Sequence, residues 1–70
     1  MNNMENNIEA VSDLLRNHEI IFEIKNPDIG HFHCWAKNGC QLIQFWAGTG
    51  KILGRQERGV HNLLKILEEE

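Results

Sequence analysis

The sequence predicts an α+β fold in which a helix, a three- to four-stranded antiparallel meander and a second helix follow one another, with both helices on one face of the sheet. Two patterns predict it. Apolar residues recur at helical intervals near each end of the chain, and they alternate with polar residues in the middle. The 70 residues make a single domain, 1–70, whose first five residues are expected to fray.

Two amphipathic helices are predicted at the ends of the chain. The first runs from about residue 5 to 17, because Ile8, Val11 and Leu15 recur every three or four residues. The second runs from about residue 58 to 69 and follows the same spacing. Three glutamates end the chain and oppose the dipole of this helix, so its last turn is expected to fray.

Three strands are predicted between the helices, at about residues 20–25, 30–37 and 40–47. The second and third strands should pair antiparallel around Asn38-Gly39, because this dipeptide favours a type I′ turn with positive φ at both central residues. Residues 51–53 either add a short fourth strand or cross the end of the sheet.

Strand alternation assigns the strand residues to two faces. The face toward the helices takes Ile20, Phe22, Ile24, Phe32, Cys34, Ala36, Ile43 and Phe45. The other face takes Ile21, Glu23, Lys25, His31, His33, Trp35, Lys37, Leu42, Gln44 and Trp46. Two tryptophans left in water would forfeit several kcal/mol, so this face indicates association. Three interpretations remain open: a symmetric homodimer, a ligand platform, or a different register with both tryptophans in the core.

Charge and composition exclude several classes of protein. The net charge of −3 argues against a general grip on a nucleic-acid backbone. Four basic residues between 37 and 58 still make a local cationic patch that suits a small anion. No apolar run approaches the roughly 20 residues of a membrane span, and the polar, acidic start is unlike a signal peptide. A cytoplasmic location with reduced cysteines is therefore expected.

Two glycine-containing segments are candidates for anion binding. Gly48-Thr49-Gly50-Lys51 lacks the first glycine and the final hydroxyl residue of a P-loop, but a glycine-flanked turn beside a lysine can cradle an anion. Arg55, Arg58 and the start of the second helix form the other candidate, with Gly59 allowing close backbone approach. The alternatives are a solvated lysine in a flexible turn, and arginines paired with Glu57 or the acidic tail.

The sequence predicts no metal site, no cofactor and no enzymatic activity. His31 and His33 share a strand face, but alternation sends Cys34 to the opposite one, and there is no CxxC pair. The same alternation separates a Cys34 nucleophile from a His33 base. An acid–base pair of Glu23 and His33 is conceivable, although a solvated ionic face is the simpler interpretation.

The segment Phe45-Trp46-Ala47-Gly48-Thr49-Gly50-Lys51, followed by Arg58-Gly59-Val60 and Asn62-Leu63-Leu64, resembles a pattern in small phage and prophage proteins. The likeness covers roughly residues 31–67. It implies a phage-encoded accessory protein, and many such proteins bind and block host defence components. Several proteins of this size sequester signalling nucleotides, usually as oligomers.

The expected function is that of a non-catalytic, oligomeric binding protein that captures a host protein or a small phosphorylated ligand. The alternative is a single-stranded nucleic-acid-binding module that uses the same face. In the ligand version the tryptophans stack a base and the cations hold phosphate. In the protein version the tryptophans are the centre of a buried interface. The expected binding residues are His33, Trp35, Gln44, Trp46, Thr49, Lys51, Arg55 and Arg58.

Overall fold

The computed structural model describes residues 3–70, with side chains from residue 7 onward. The elements are α1 (Asn3–Asn17), β1 (Ile21–Asn26), β2 (His31–Trp35), β3 (Leu42–Trp46), β4 (Lys51–Ile52) and α2 (Val60–Glu69). The strands form an antiparallel meander in the order β1-β2-β3-β4. The predicted α+β fold is confirmed, and the segment after the glycine turn does supply a fourth strand.

Helix α1 begins at Asn3, two residues earlier than the sequence predicts. The predicted fraying of residues 1–5 falls partly on residues 1 and 2, which lie outside the described range. For residues 3–5 the backbone is helical. Helix α1 therefore begins earlier in the chain than apolar periodicity alone indicates.

A Schellman motif ends α1 and starts the sheet. The Ile20 N–H donates to the Leu15 carbonyl over 2.9 Å, and the Glu19 N–H donates to the Arg16 carbonyl over 3.0 Å. Glu19 takes a φ of 60°, the left-handed conformation that this motif requires. The reversal delivers Ile20 into the core immediately before β1.

Both helices pack against one face of the sheet and share one hydrophobic core. The buried apolar residues are Val11, Leu15, Ile20, Phe32, Cys34, Ala36, Ile43, Phe45, Ala47, Ile52, Leu63, Leu64, Ile66 and Leu67. The predicted core residue Ile24 is an exception, because it is 38% exposed. It lies on β1, the edge strand, where the covering layer is incomplete.

The β2–β3 hairpin forms as predicted, but its turn differs from the type I′ turn expected at Asn38-Gly39. The Ala36 N–H donates to the Gln41 carbonyl, and the Cys40 N–H donates to the Ala36 carbonyl, which leaves four residues in the loop. The positive φ, 56°, falls on Cys40 and on neither predicted residue. The prediction of a two-residue turn is therefore wrong.

The longer turn exists because it caps the end of α2. The Lys37 N–H donates to the Leu67 carbonyl over 2.9 Å, and the Gly39 N–H donates to the Glu70 carbonyl over 2.7 Å. A Cβ atom at Gly39 would lie only 3.1 Å from that same carbonyl oxygen. The last carbonyls of a helix lack partners within the helix, so donors from a neighbouring turn stabilise its end.

The last turn of α2, where the sequence predicts fraying, is helical. The helix continues to Glu69, and the Glu70 N–H donates to the Ile66 carbonyl over 3.0 Å. The Glu68 carboxylate accepts a 2.8 Å hydrogen bond from His18 Nδ1 and lies 3.5 Å from Lys37 Nζ. These basic partners offset the unfavourable interaction between the glutamates and the helix dipole.

Candidate functional site

The sheet face opposite the helices, here called the outer face, carries most of the residues that alternation predicts. Lys37 is an exception, because it lies beyond the end of β2 and its Nζ is 3.5 Å from the Glu68 carboxylate of α2. Trp35 and Trp46 are half-buried and belong to the outer face, whereas their neighbours Cys34 and Phe45 are buried in the core. The register pairs Trp35 with Leu42 and His31 with Trp46. The interpretation that placed both tryptophans in the core is thus excluded for this fold. Outer-face residues form three rows that run across the strands.

One end of the outer face is apolar, and we call it the apolar row. It consists of Ile21, Trp35 and Leu42, which are directly opposite one another on β1, β2 and β3. Ile21 is 74% exposed and Leu42 is 42% exposed. Large aliphatic side chains this exposed, grouped around a tryptophan, are typical of an association surface.

The next row, the middle row, is mostly polar. Glu23, His33 and Gln44 lie side by side on β1, β2 and β3. The Glu23 carboxylate accepts a 3.1 Å hydrogen bond from Lys25 Nζ. Leu53 completes the row beyond Gln44, because its N–H donates to the Gln44 carbonyl over 3.0 Å, and it is 49% exposed. The predicted site includes His33 and Gln44 but misses Leu53.

The third row, the cationic row, consists of His31, Trp46, Lys51 and Arg58. The His31 and Trp46 rings stack with centroids 4.5 Å apart and planes 3° from parallel. His31 Nε2 also hydrogen-bonds Gln44 Oε1 over 3.0 Å. Lys51 Nζ lies 5.7 Å from the centre of the Trp46 ring. His31 and Lys51 come from the strands on either side of Trp46, so they occupy the space that a stacked base would need.

The two halves of the phage-like sequence pattern meet at the end of the cationic row. Lys51 and Arg58 form an antiparallel bridge, which places their side chains on the same side of the sheet. The Gly59 N–H donates to the Gly50 carbonyl over 2.8 Å. The backbones of the two segments approach each other closely at Gly50, whose φ is 77°. A Cβ at Gly50 would lie 3.2 Å from the Gly59 nitrogen. A Cβ at Gly59 would meet no described atom within 4 Å, so the space from which an anion was expected to approach this backbone is open.

Arg55 and Thr49 do not join the cationic row. Arg55 Nη2 donates to both carboxylate oxygens of Glu70, over 2.8 and 2.6 Å. This ion pair is the alternative that the sequence left open for the arginines. Thr49 Oγ1 accepts the Lys51 N–H over 3.3 Å and so stabilises the turn itself. Of the eight predicted binding residues, the fold brings six onto or beside the outer face and leaves these two in structural contacts.

The histidines and cysteines do not converge. His31 and His33 share the outer face with ring centroids 5.0 Å apart, whereas Cys34 is buried on the core side and Cys40 is exposed in the hairpin turn. Within residues 3–70, the described side chains form no group of three or more His, Cys, Asp or Glu residues that could hold a metal ion. Burial raises the pKa of the Cys34 thiol to about 12, so it is protonated at neutral pH.

The comparisons with known proteins add no relatives. No protein-family model matches the chain, and no match is found among curated proteins or among solved structures. The likeness to phage proteins therefore stays a prediction from the sequence. None of the described helices has the length and apolar character to cross a membrane.

Proposed function

We propose that this chain is a non-catalytic protein-binding module of the phage accessory type, which captures a host protein through the outer face of its sheet. The observation that carries the proposal is the apolar row, in which Ile21, Trp35 and Leu42 project side by side from a face that the two described helices leave uncovered. Exposed aromatic and aliphatic groups beside polar and charged residues on the same surface are a common layout of a protein interface.

The arrangement of charge on the outer face indicates which groups the surface of the partner should carry. The cationic row lies four residue pairs from the apolar row along the strands, a separation of roughly 13 Å. A matching partner would present apolar side chains at one end of its surface and carboxylates at the other. Electrostatic complementarity of this kind fixes the orientation of a complex and speeds its formation.

The chemistry of the cysteines supports a role without catalysis. The thiol of Cys34 is fully buried, its raised pKa keeps it protonated, and it faces away from both sheet histidines. A thiol nucleophile needs access to substrate and a base within hydrogen-bonding reach. The outer-face histidines instead contact Trp46, Gln44 and each other.

A small phosphorylated ligand is the second candidate, and one observation favours it. Lys51 and Arg58 are neighbours across a backbone bridge, beside the aromatic stack. Two observations weigh against it: Arg55 is paired with Glu70, and Trp46 is flanked by His31 and Lys51. The same two observations weigh against the single-stranded nucleic-acid alternative, which needs open aromatic faces for base stacking.

Capture from a bacterial extract, followed by titration with the purified captured protein, tests the proposal. The baits are the wild type, Leu42→Glu in the apolar row, and Lys65→Glu as a matched control on the exposed side of α2. We expect Leu42→Glu to weaken binding by about 100-fold, because a charge replaces a desolvated contact. Lys65→Glu should bind like the wild type.

Salt and defined probes separate the alternatives. Binding to a protein through the apolar row should weaken by less than about tenfold between about 50 and 500 mM salt, because only the contacts to the cationic row are screened, whereas an oligothymidine probe would lose affinity steeply. ATP serves as the probe for the phosphorylated ligand. Retention of the captured protein by Leu42→Glu, or tight binding of either probe with no protein captured, would overturn the proposal.

A further inference from the structure

We infer that the first occupant of the outer face is a second copy of this chain, so that the free protein is a face-to-face homodimer that a target must displace. The regulatory half of this inference, displacement by a target, rests on the proposed function. The homodimer itself does not, because it follows from the shape, exposure and charge of the outer face.

Apolar exposure is concentrated on this face. Of the five large hydrophobic side chains that are exposed among the described residues, three project from the outer face: Ile21, Leu42 and Leu53. Trp35 lies between the first two and is half-buried. A second copy would cover all four side chains at once, whereas a partner at either sheet edge would reach only one or two of them.

A two-fold axis parallel to the strands makes the face complementary to itself. This axis places β1 over β4 and β2 over β3 of the second copy, with equivalent rows in contact. Trp35 of each copy then meets Leu42 of the other, and Ile21 of each approaches Leu53 of the other. Aligned packing of two sheets, with strands about 30° apart, is a common way to cover such faces.

The same axis brings opposite charges together. Glu23 lies on β1, at one edge of the outer face, and Lys51 lies on β4, at the other edge. Superposing β1 on β4 of the second copy leaves Glu23 one row, or two residues, from Lys51 of the other copy, roughly 7 Å along the strand. Packed sheets lie about 10 Å apart, so the two Cα atoms are roughly 12 Å apart, a distance that the lysine and glutamate side chains span together, and each dimer gains two symmetric ion pairs. An axis perpendicular to the strands would instead place β1 over β1 and reverse the order of the rows, so that Glu23 in the middle row would face Glu23 of the other copy.

The area is sufficient for a specific but reversible dimer. Four strands about 4.8 Å apart and three rows about 6.7 Å apart give a footprint of roughly 400 Å². Because side chains project from the sheet, the accessible area exceeds this flat footprint, and two copies would bury on the order of 1,000 Å² in total. That area is at the lower limit for specific interfaces. Such a dimer should dissociate in the micromolar range, weak enough for a target with a better-matched surface to displace it.

Sedimentation equilibrium of the full chain, with a charge exchange between Glu23 and Lys51, tests the homodimer. We expect the wild type to approach twice the 8.1 kDa chain mass at about 100 µM. Glu23→Lys alone and Lys51→Glu alone should each weaken association by about tenfold, because like charges then face each other. The double variant Glu23→Lys/Lys51→Glu should recover wild-type association to within about threefold.

Two further variants keep the result unambiguous. Leu42→Glu should be monomeric while keeping its circular dichroism spectrum, and Lys65→Glu, on the helix side, should still dimerise. A monomeric wild type at about 100 µM, a dimer that survives Leu42→Glu, or single charge variants that the double variant fails to rescue would each overturn the inference.

The failures of the two proposals can be told apart. If the wild type dimerises but the Glu23→Lys variant, used at a concentration where it is mostly dissociated, captures no protein, the homodimer stands and the proposed function fails. If the wild type is monomeric and captures a protein that Leu42→Glu does not, the proposed function stands and the homodimer fails. If both are correct, Glu23→Lys captures more target than the wild type at equal concentration.

Discussion

His31 stacks on Trp46 across the β2–β3 pair, with ring centroids 4.5 Å apart and planes 3° from parallel. Lys51 lies near the same indole from β4, on the other side of its strand. Trp46 therefore packs within the cationic row, between His31 and Lys51. Trp35, which contacts the histidines only through an edge-on approach to His33 at 6.4 Å, is the tryptophan better placed for a partner.

Gly50 is expected to be the least replaceable glycine near the cationic row. In Gly50→Ala, the alanine must adopt a φ of 77°, and its Cβ lies 3.2 Å from the Gly59 nitrogen. We therefore expect a loss of about 2–3 kcal/mol in the free energy of unfolding. Gly54→Ala is the matched control, because its φ is 76° but no atom lies within 4 Å, and it should cost about 1 kcal/mol. Urea titration measures both, and equal losses would contradict a role for the close approach.

The ion pair of Arg55 and Glu70 should contribute modestly to stability. Both side chains are about one-third exposed, at 29% and 35%, so solvent screens the pair despite its two hydrogen bonds. A double-mutant cycle with Arg55→Ala and Glu70→Gln should give a coupling energy of about 1 kcal/mol. A coupling energy of zero would show that the pair does not persist in solution, and would return Arg55 to the candidates for anion binding.

Glu68 should make the stability depend on pH in the acidic range. The hydrogen bond from His18 lowers the pKa of the Glu68 carboxyl below its usual value of 4.5, and Lys37 lowers it further. A lowered pKa in the folded state means that the stabilisation is complete above the unfolded value and is lost as pH falls through the folded value. Unfolding of Glu68→Gln should therefore show a shallower pH dependence than that of the wild type below about pH 4.5. Parallel curves for the two proteins would contradict the contact.

The two cysteines should differ sharply in reactivity. Cys40 is exposed in the hairpin turn, whereas Cys34 is buried and its pKa is raised to about 12. Because the thiolate is the reactive form, iodoacetamide at neutral pH should modify Cys40 alone until the protein unfolds. Mass spectrometry of the intact chain measures this. Modification of Cys34 at a comparable rate in the folded protein would contradict its place in the core.

The sequence predicts the faces of the sheet better than it predicts the turns. Period-two alternation is enough to separate Trp35 from Cys34 and Trp46 from Phe45, because a strand offers only two sides. The hairpin turn escapes the same reasoning. Its four-residue form is selected by the end of α2, whose carbonyls accept the N–H groups of Lys37 and Gly39 across a long sequence separation.

In the candidate site, too, the residues placed by strand alternation are predicted and those placed by long-range contacts are not. His33, Trp35, Gln44 and Trp46 follow from alternation alone. The ion pair of Arg55 and the close approach at Gly50 depend on where the connector and the acidic end of α2 come to rest, which local patterns do not specify. Leu53 could have been found from the sequence, because it follows Ile52 in the same alternation that places Lys51 outward.

Leu42 and Ile43 are adjacent residues on opposite faces of the sheet, and they test most directly whether the outer face serves binding and the opposite face serves folding. The measurement is the free energy of unfolding of Leu42→Ala and Ile43→Ala at a protein concentration low enough to exclude self-association. We expect Leu42→Ala, at 42% exposure, to lose less than about 1 kcal/mol, and Ile43→Ala, at 5%, to lose about 2–5 kcal/mol. Equal losses, or a larger loss for Leu42→Ala, would contradict this assignment of the two faces.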